Sequence, residues 1–152
     1  MNGRLWLQSI LDQFGQTLGV PVKLDGDQGC SLRLLDDELS VNIAYLEDTA
    51  EMLLFCPLGV IEAERRPALY EQMLAANFLW RGAAGATLSI EDFTHTAVLF
   101  AREPVALLDQ KRFRQALEEF IEAARRWADI VEGRQPPPMD DAFEGVACLD
   151  VD

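Results

Sequence analysis

The chain has 152 residues, of which 49% are hydrophobic and 26% charged, enough apolar surface for one core and too little chain for two comfortable domains. Thirteen Lys and Arg stand against 26 Asp and Glu, a formal net charge of -13. Such a chain repels phosphate backbones and anionic lipid surfaces, which argues against nucleic-acid binding and against membrane attachment.

No cationic segment leads into an apolar run at the start, so no signal peptide is expected. Uncharged stretches such as Met52 to Ile61 reach ten residues, against the roughly 20 of a spanning helix. Cys30, Cys56 and Cys148 are odd in number and lack CxxC spacing, which points away from a disulfide framework or zinc site and toward a reducing cytosol.

The first element is a helix, because Trp6, Leu7, Ile10, Leu11, Phe14 and Leu18 recur at steps of three and four. Gly19 and Pro21 end it. The period then falls to two. Leu32 and Leu34, an acidic turn at Asp36-Asp37-Glu38, and Leu39, Val41, Ile43 and Tyr45 predict an antiparallel hairpin with one dry face. The third strand, Met52 to Cys56, is apolar on both faces, and Pro57-Leu58-Gly59 is expected to end it. Pro67 suits the first turn of a second helix carrying Leu69, Tyr70, Met73, Leu74 and Asn77, before Gly82 and Gly85 break the chain. A second hairpin follows at about Thr87 to Ile90 and Thr96 to Phe100, closed by Pro104. The final helix starts near Asp109 and carries Phe113, Leu117, Phe120, Ile121, Ala124, Trp127 and Val131. Lys111, Arg112 and Arg114 oppose the dipole of its first turns, which implies either local acidic partners or a small tolerated cost.

The order is α-β-β-β-α-β-β-α: an α+β domain over residues 1–132, with three helices on a five-stranded antiparallel sheet. Residues 133–152 hold Pro136, Pro137 and Pro138 and five acids against Arg134. They offer too little apolar surface to offset ordering entropy, so this tail is expected to be disordered.

Chemistry is scarce. The only histidine, His95, falls in a predicted hairpin turn, where a solvated residue is the simpler reading than a catalytic one. The segment Gly82 to Thr87 leads into a strand, whereas a phosphate cradle opens a helix. Asp25-Gly26-Asp27-Gln28-Gly29 begins like a calcium loop but has Gly29 and Cys30 where Asp or Asn and then Gly belong. Eight acids against Arg33 in residues 25–51 fall in turns and at strand ends, as solvated charges do. No metal, cofactor or catalytic residue is therefore expected. The apolar surplus is more telling. Leu53 beside Leu54, and Val98 beside Leu99, leave one sheet face unexplained, which implies a homodimer seam, a bound partner, or both.

Several motifs occur together: Phe14-Gly15, Leu18-Gly19-Val20-Pro21, the strand, acidic turn and strand from Leu32 to Val41, and Pro57-Leu58-Gly59. Ala76-Asn77-Phe78-Leu79-Trp80 follows with Gly82 and Gly85-Ala86-Thr87-Leu88-Ser89, and Val105-Ala106-Leu107-Leu108-Asp109 leads to Phe113, Leu117 and Trp127. In their order and spacing the chain resembles the class I type III secretion chaperones, the Tir chaperone family, over about residues 5–131, with the segment from Ala76 to Ser89 its most specific part and the last stretch similar to the family's last helix. The Pro-rich tail departs from the pattern. The resemblance implies an acidic homodimer in a bacterial cytosol. It would bind the N-terminal chaperone-binding segment of a secreted effector, extended over apolar patches and adding a strand at a sheet edge. The client would stay soluble and ready for the secretion ATPase, without ATP use by the chaperone. An alternative is a chaperone-like protein that sequesters a transcriptional regulator, and an enzyme built on a carboxylate or His95 is the reading from another class. The expected client contacts are Leu7 and Leu11 on the first helix and Leu53 and Phe55 on the third strand. By family analogy the middle helix forms the dimer seam, at Leu69, Met73, Leu74 and Phe78.

Overall fold

Asn2 opens the first helix by accepting the Leu5 amide at its side-chain oxygen (3.2 Å), and α1 then runs Gly3–Leu18. Gly19 ends it in the left-handed conformation (φ 77°), a backbone that glycine adopts without a side-chain penalty. The structure, a computed structural model, describes residues 2–26, 29–34 and 38–134 and the backbone of residues 146–148.

Three strands follow as an antiparallel meander: β1 (Cys30–Leu34), β2 (Leu39–Leu46) and β3 (Glu51–Val60). Leu32 sits opposite Val41 and Ile43 opposite Leu54, so the dry face expected from the alternation is one continuous surface. Helix α2 (Arg66–Ala76) has Pro67 in its first turn. The second hairpin is β4 (Thr87–Glu91) and β5 (Thr96–Pro104), and α3 spans Gln110–Glu132. Asp109 caps α3 by accepting the Arg112 amide at 2.7 Å. The charge mismatch in its first turns is answered at Arg112, whose guanidinium pairs with Glu103 of β5.

All pairings are antiparallel, and with β6 (Val146–Cys148) at one edge the sheet order is β4-β5-β3-β2-β1-β6. The five strands of the body match the expectation. The sixth, β6, adds to the outer edge of β1 from within the tail. Residues 135–145 and 149–152, and the expectation of disorder there, lie outside the described residues.

Pro57 does not end β3. The strand continues to Val60, and its register with β5 shifts between Pro57 and Gly59. A proline has no amide for the ladder and is tolerated at such a bulge, while Gly59 takes φ 136°.

One sheet face carries the core. Leu32, Leu34, Val41, Ile43, Met52, Leu54, Cys56, Leu58, Ala97 and Leu99 are buried together with Leu7, Ile10, Leu11 and Phe14 of α1 and ten residues of α3. Phe14 and Phe113 meet edge to face, with ring centroids 5.3 Å apart. Polar ties close the layer. The Trp6 indole donates to the Leu108 carbonyl (2.9 Å), and Trp127 donates to Gly82 (2.9 Å). Arg65 donates to the last carbonyls of α3, at Val131 and at Ile130, the latter also accepting the Gly133 amide.

Candidate functional site

The opposite sheet face is different. Leu53 and Phe55 point away from the core and are half-buried. Phe55 sits directly opposite Phe100, and Pro57 opposite Val98, across the β3–β5 pair. Ser31, Ser40 and Asn42 flank this strip on one side and Thr87 and Ser89 on the other. The result is an apolar strip along the middle of a sheet, bordered by polar strands. A sheet surface of this kind takes side chains from a partner rather than water.

Helix α1 carries a second patch. Leu7 and Leu11, expected as client contacts, are fully buried and are core residues with no surface to offer. The helical stripe names the apolar positions without saying which ones the sheet covers. Their exposed neighbours are Leu5 (67%) and Trp6 (37%), and the bond from Trp6 to Leu108 sets that ring beside the turn carrying exposed Leu107. The signal in the sequence was the run Leu5-Trp6-Leu7, one apolar residue wider than a single stripe needs.

The third surface is α2 and the turn after it. Leu69 and Met73 face the core and are buried, so they support the helix from inside. Leu74 (72%) and Phe78 (66%) are on the outside, where Pro67, Tyr70 and Ala75 line a shallow apolar groove with them. Leu79 and Trp80 extend it, both exposed and both at positive φ (51° and 57°). A left-handed backbone costs a residue with a side chain about 1–2 kcal/mol, so the fold holds two large apolar side chains outward at a conformational cost, a mark of a functional segment.

Asn77, between these two surfaces of α2, is turned to the sheet. Its side-chain amide donates to the Leu88 carbonyl (3.0 Å), and its oxygen accepts the Leu88 amide (2.9 Å). It thereby occupies the edge of β4 as a strand would.

The groups capable of chemistry lie apart. His95 is a half-buried turn residue whose carbonyl accepts the Ile61 amide. Burial pushes the Cys56 thiol up to about 12, far from a nucleophilic thiolate. Glu91 is held below the usual carboxylate range by the Thr94 hydroxyl and then by the Phe93 and Thr94 amides, so it organises the β4–β5 turn. Of the acidic run, Glu51 meets Arg102 at 3.6 Å and Asp25, Glu47 and Asp48 are exposed, while Asp27, Asp36 and Asp37 lie outside the described residues. Among the described residues no three His, Cys, Asp or Glu gather to hold a metal ion, and no helix is long and apolar enough to cross a membrane.

Known proteins share this architecture. The ExsC–ExsE complex includes a chain that is similar with a TM-score of 0.71 and 20% identity, covering 86% of this chain and 97% of that one. The HopA1–SchA chaperone–effector complex matches with 0.66 and 19%, covering 83% and 95%. The heterodimeric ExoU–SpcU complex from the type III secretion system of Pseudomonas aeruginosa matches with 0.61 and 20%, covering 84% and 98%. At these identities the likeness is one of fold. No curated protein sequence matches. The Tir chaperone protein (CesT) family, a family of chaperones, matches residues 9–128, most of the chain and all three helices and five strands of the body in part or whole. The chain belongs to the Tir chaperone (CesT) family.

Proposed function

We propose that this protein is an escort chaperone. It binds the N-terminal chaperone-binding segment of a type III secreted effector and keeps that segment partly unfolded, soluble and competent for secretion. The observation that carries this reading is the apolar strip of Leu53, Phe55, Val98 and Phe100 on the sheet face turned away from the core. An extended segment can lay alternate side chains on such a strip while its backbone pairs with a sheet edge. Because an unfolded segment must offset its own ordering, the contact has to be large, and the separate patch of Leu5, Trp6 and Leu107 offers further apolar area. Family membership supports the same reading, as does the fact that one similar structure is a chaperone–effector complex.

In this reading the protein works as a homodimer in the bacterial cytosol and delivers its client to the secretion ATPase. The seam is the outer face of α2, with Leu74 and Phe78 at its centre, Tyr70, Leu79 and Trp80 around them, and Leu69 and Met73 behind. It catalyses no reaction and uses no cofactor. The net charge of -13 keeps a protein with three apolar surfaces dispersed.

The test is capture of tagged protein from its host, with mass spectrometry of what elutes, beside a Phe55→Asp variant. One secreted protein should dominate, should be lost when its N-terminal region is deleted, and should be absent from the Phe55→Asp eluate while that variant keeps its fold and mass. A DNA-binding regulator in its place would make the role regulatory. No stoichiometric partner would sink the escort reading.

A further inference from the structure

The two edges of the sheet are protected in different ways. An open edge presents unpaired amides and carbonyls to any extended chain, so folded proteins cover it. On β4 the cover is built in, because Asn77 of the same rigid segment holds both main-chain groups of Leu88. On β1 the cover is borrowed from the tail: Val146, Ala147 and Cys148 pair antiparallel with Leu34, Arg33 and Leu32. Three features make this a loose cover. It pairs three residues, against five in β1–β2 and nine in β3–β5. It is joined to α3 by the thirteen residues 133–145, which include Pro136, Pro137 and Pro138. And Val146 to Leu149 is the longest purely apolar run in a tail otherwise rich in acids and prolines.

We propose that the C-terminal strand is a guard. It holds the outer edge of β1 in the free protein and is displaced when an extended client segment adds to that edge. The inference rests on the escort reading for the identity of the displacing strand, and on the pairing alone for the guard. Tethering gives the tail an effective concentration on the order of millimolar at that edge. A short tethered strand therefore keeps out stray chains and still yields to a longer segment that also covers the apolar strip. Because β1, β2 and β3 are consecutive in the sheet, a strand on β1 runs at one end of the surface whose middle is Leu53 and Phe55.

The experiment uses the full chain and needs no client. In Val146→Pro/Ala147→Pro the ladder loses its donors at two adjacent positions, so whichever amide faces β1 is removed. Hydrogen exchange of whichever amides of Leu32 to Leu34 face the tail strand should accelerate at least tenfold relative to the parent, while those turned to β2 and the amides of Leu54 and Leu99 stay protected. Glu144→Pro, just outside the paired residues, should leave the exchange unchanged. A synthetic peptide of residues 143–152, added in trans at millimolar concentration under reducing conditions, should restore protection in the double-proline protein and leave the parent unaffected. Equal exchange in parent and double-proline protein, or failure of the peptide to restore it, overturns the guard. A second variant tests the link to the client. Arg33→Cys/Ala147→Cys, in a Cys148→Ser background, places two thiols at opposed register positions. Sealed by oxidation it should bind the captured effector at least tenfold more weakly, and reductant should restore binding in the same sample. Undiminished binding by the sealed protein would overturn displacement. Absence of any effector would instead sink the escort reading and leave the edge result standing.

Discussion

Helices α2 and α3 are both rich in apolar residues, and the fold uses them in opposite ways. Along its 23 residues α3 buries ten, on one stripe, with Phe113, Leu117 and Ile121 fully enclosed. Along its 11 residues α2 buries only Leu69 and Met73, and leaves Leu74 and the following Phe78, Leu79 and Trp80 more than half exposed. A sheet face can absorb one stripe from each helix laid on it, as it does from α1 and α3. When a helix carries apolar residues on two sides, the second side is surplus to the monomer, and surplus apolar surface marks an interface. The same rule separates the two faces of β3.

The comparison is easiest to break at α3. Leu117→Ala should cost about 2–5 kcal/mol of stability, because it opens a cavity in a site with no route to water, and urea unfolding measures it. A cost below 1 kcal/mol would mean that α3 is no more committed to the core than α2. Leu74→Asp should act the other way. Its site is open in the protomer, so the protomer fold should survive, while a charge placed in the middle of the proposed seam should abolish the proposed dimer. Sedimentation equilibrium reads this directly, and an unchanged dimer mass would move the seam elsewhere.

A smaller effect sharpens the picture at the β4 edge. Asn77→Ala removes both bonds to Leu88 and should cost about 1–3 kcal/mol, with faster exchange of the Leu88 amide. The smallest effect concerns Glu91. Its carboxyl is held below the ordinary glutamate value of 4.5, so the stabilisation it gives is fully present above that value and lost as pH falls through the lower folded value. Glu91 is exposed, and the expected signature is only a slight flattening of the stability–pH curve on the acid side in Glu91→Gln, measured by urea midpoints.

Much of this was legible in the residues. The stripes of α1 and α3, the alternation of Leu32 to Tyr45, and Asp109 as a cap each follow from local chemistry, and local chemistry is what a sequence displays. The two-sided strand was visible as Leu53 beside Leu54. What escaped detection is non-local. Leu7 and Leu11 read as client surface because periodicity cannot say which side of a wide stripe the sheet will cover, and it covers theirs while leaving Leu5 and Trp6 outside. Pro57 reads as a stop because a missing amide usually ends a ladder, yet a bulge of one extra residue, Leu58, carries β3 past it. The pairing of Val146 to Cys148 with β1 joins residues more than a hundred positions apart, and no window on the tail contains that partner.

The three tryptophans occupy three different environments. Trp127 is buried (3%) and tied to Gly82, Trp6 stands at the α1 patch (37%), and Trp80 lies at the proposed seam (56%). Indole emission moves to shorter wavelength as water leaves the ring, so each event in the working cycle has its own native optical label. Assembly would shift Trp80, client capture would shift Trp6, and only unfolding would shift Trp127. Paired Trp→Phe replacements, each leaving one indole, turn the protein into three separate sensors of its own state.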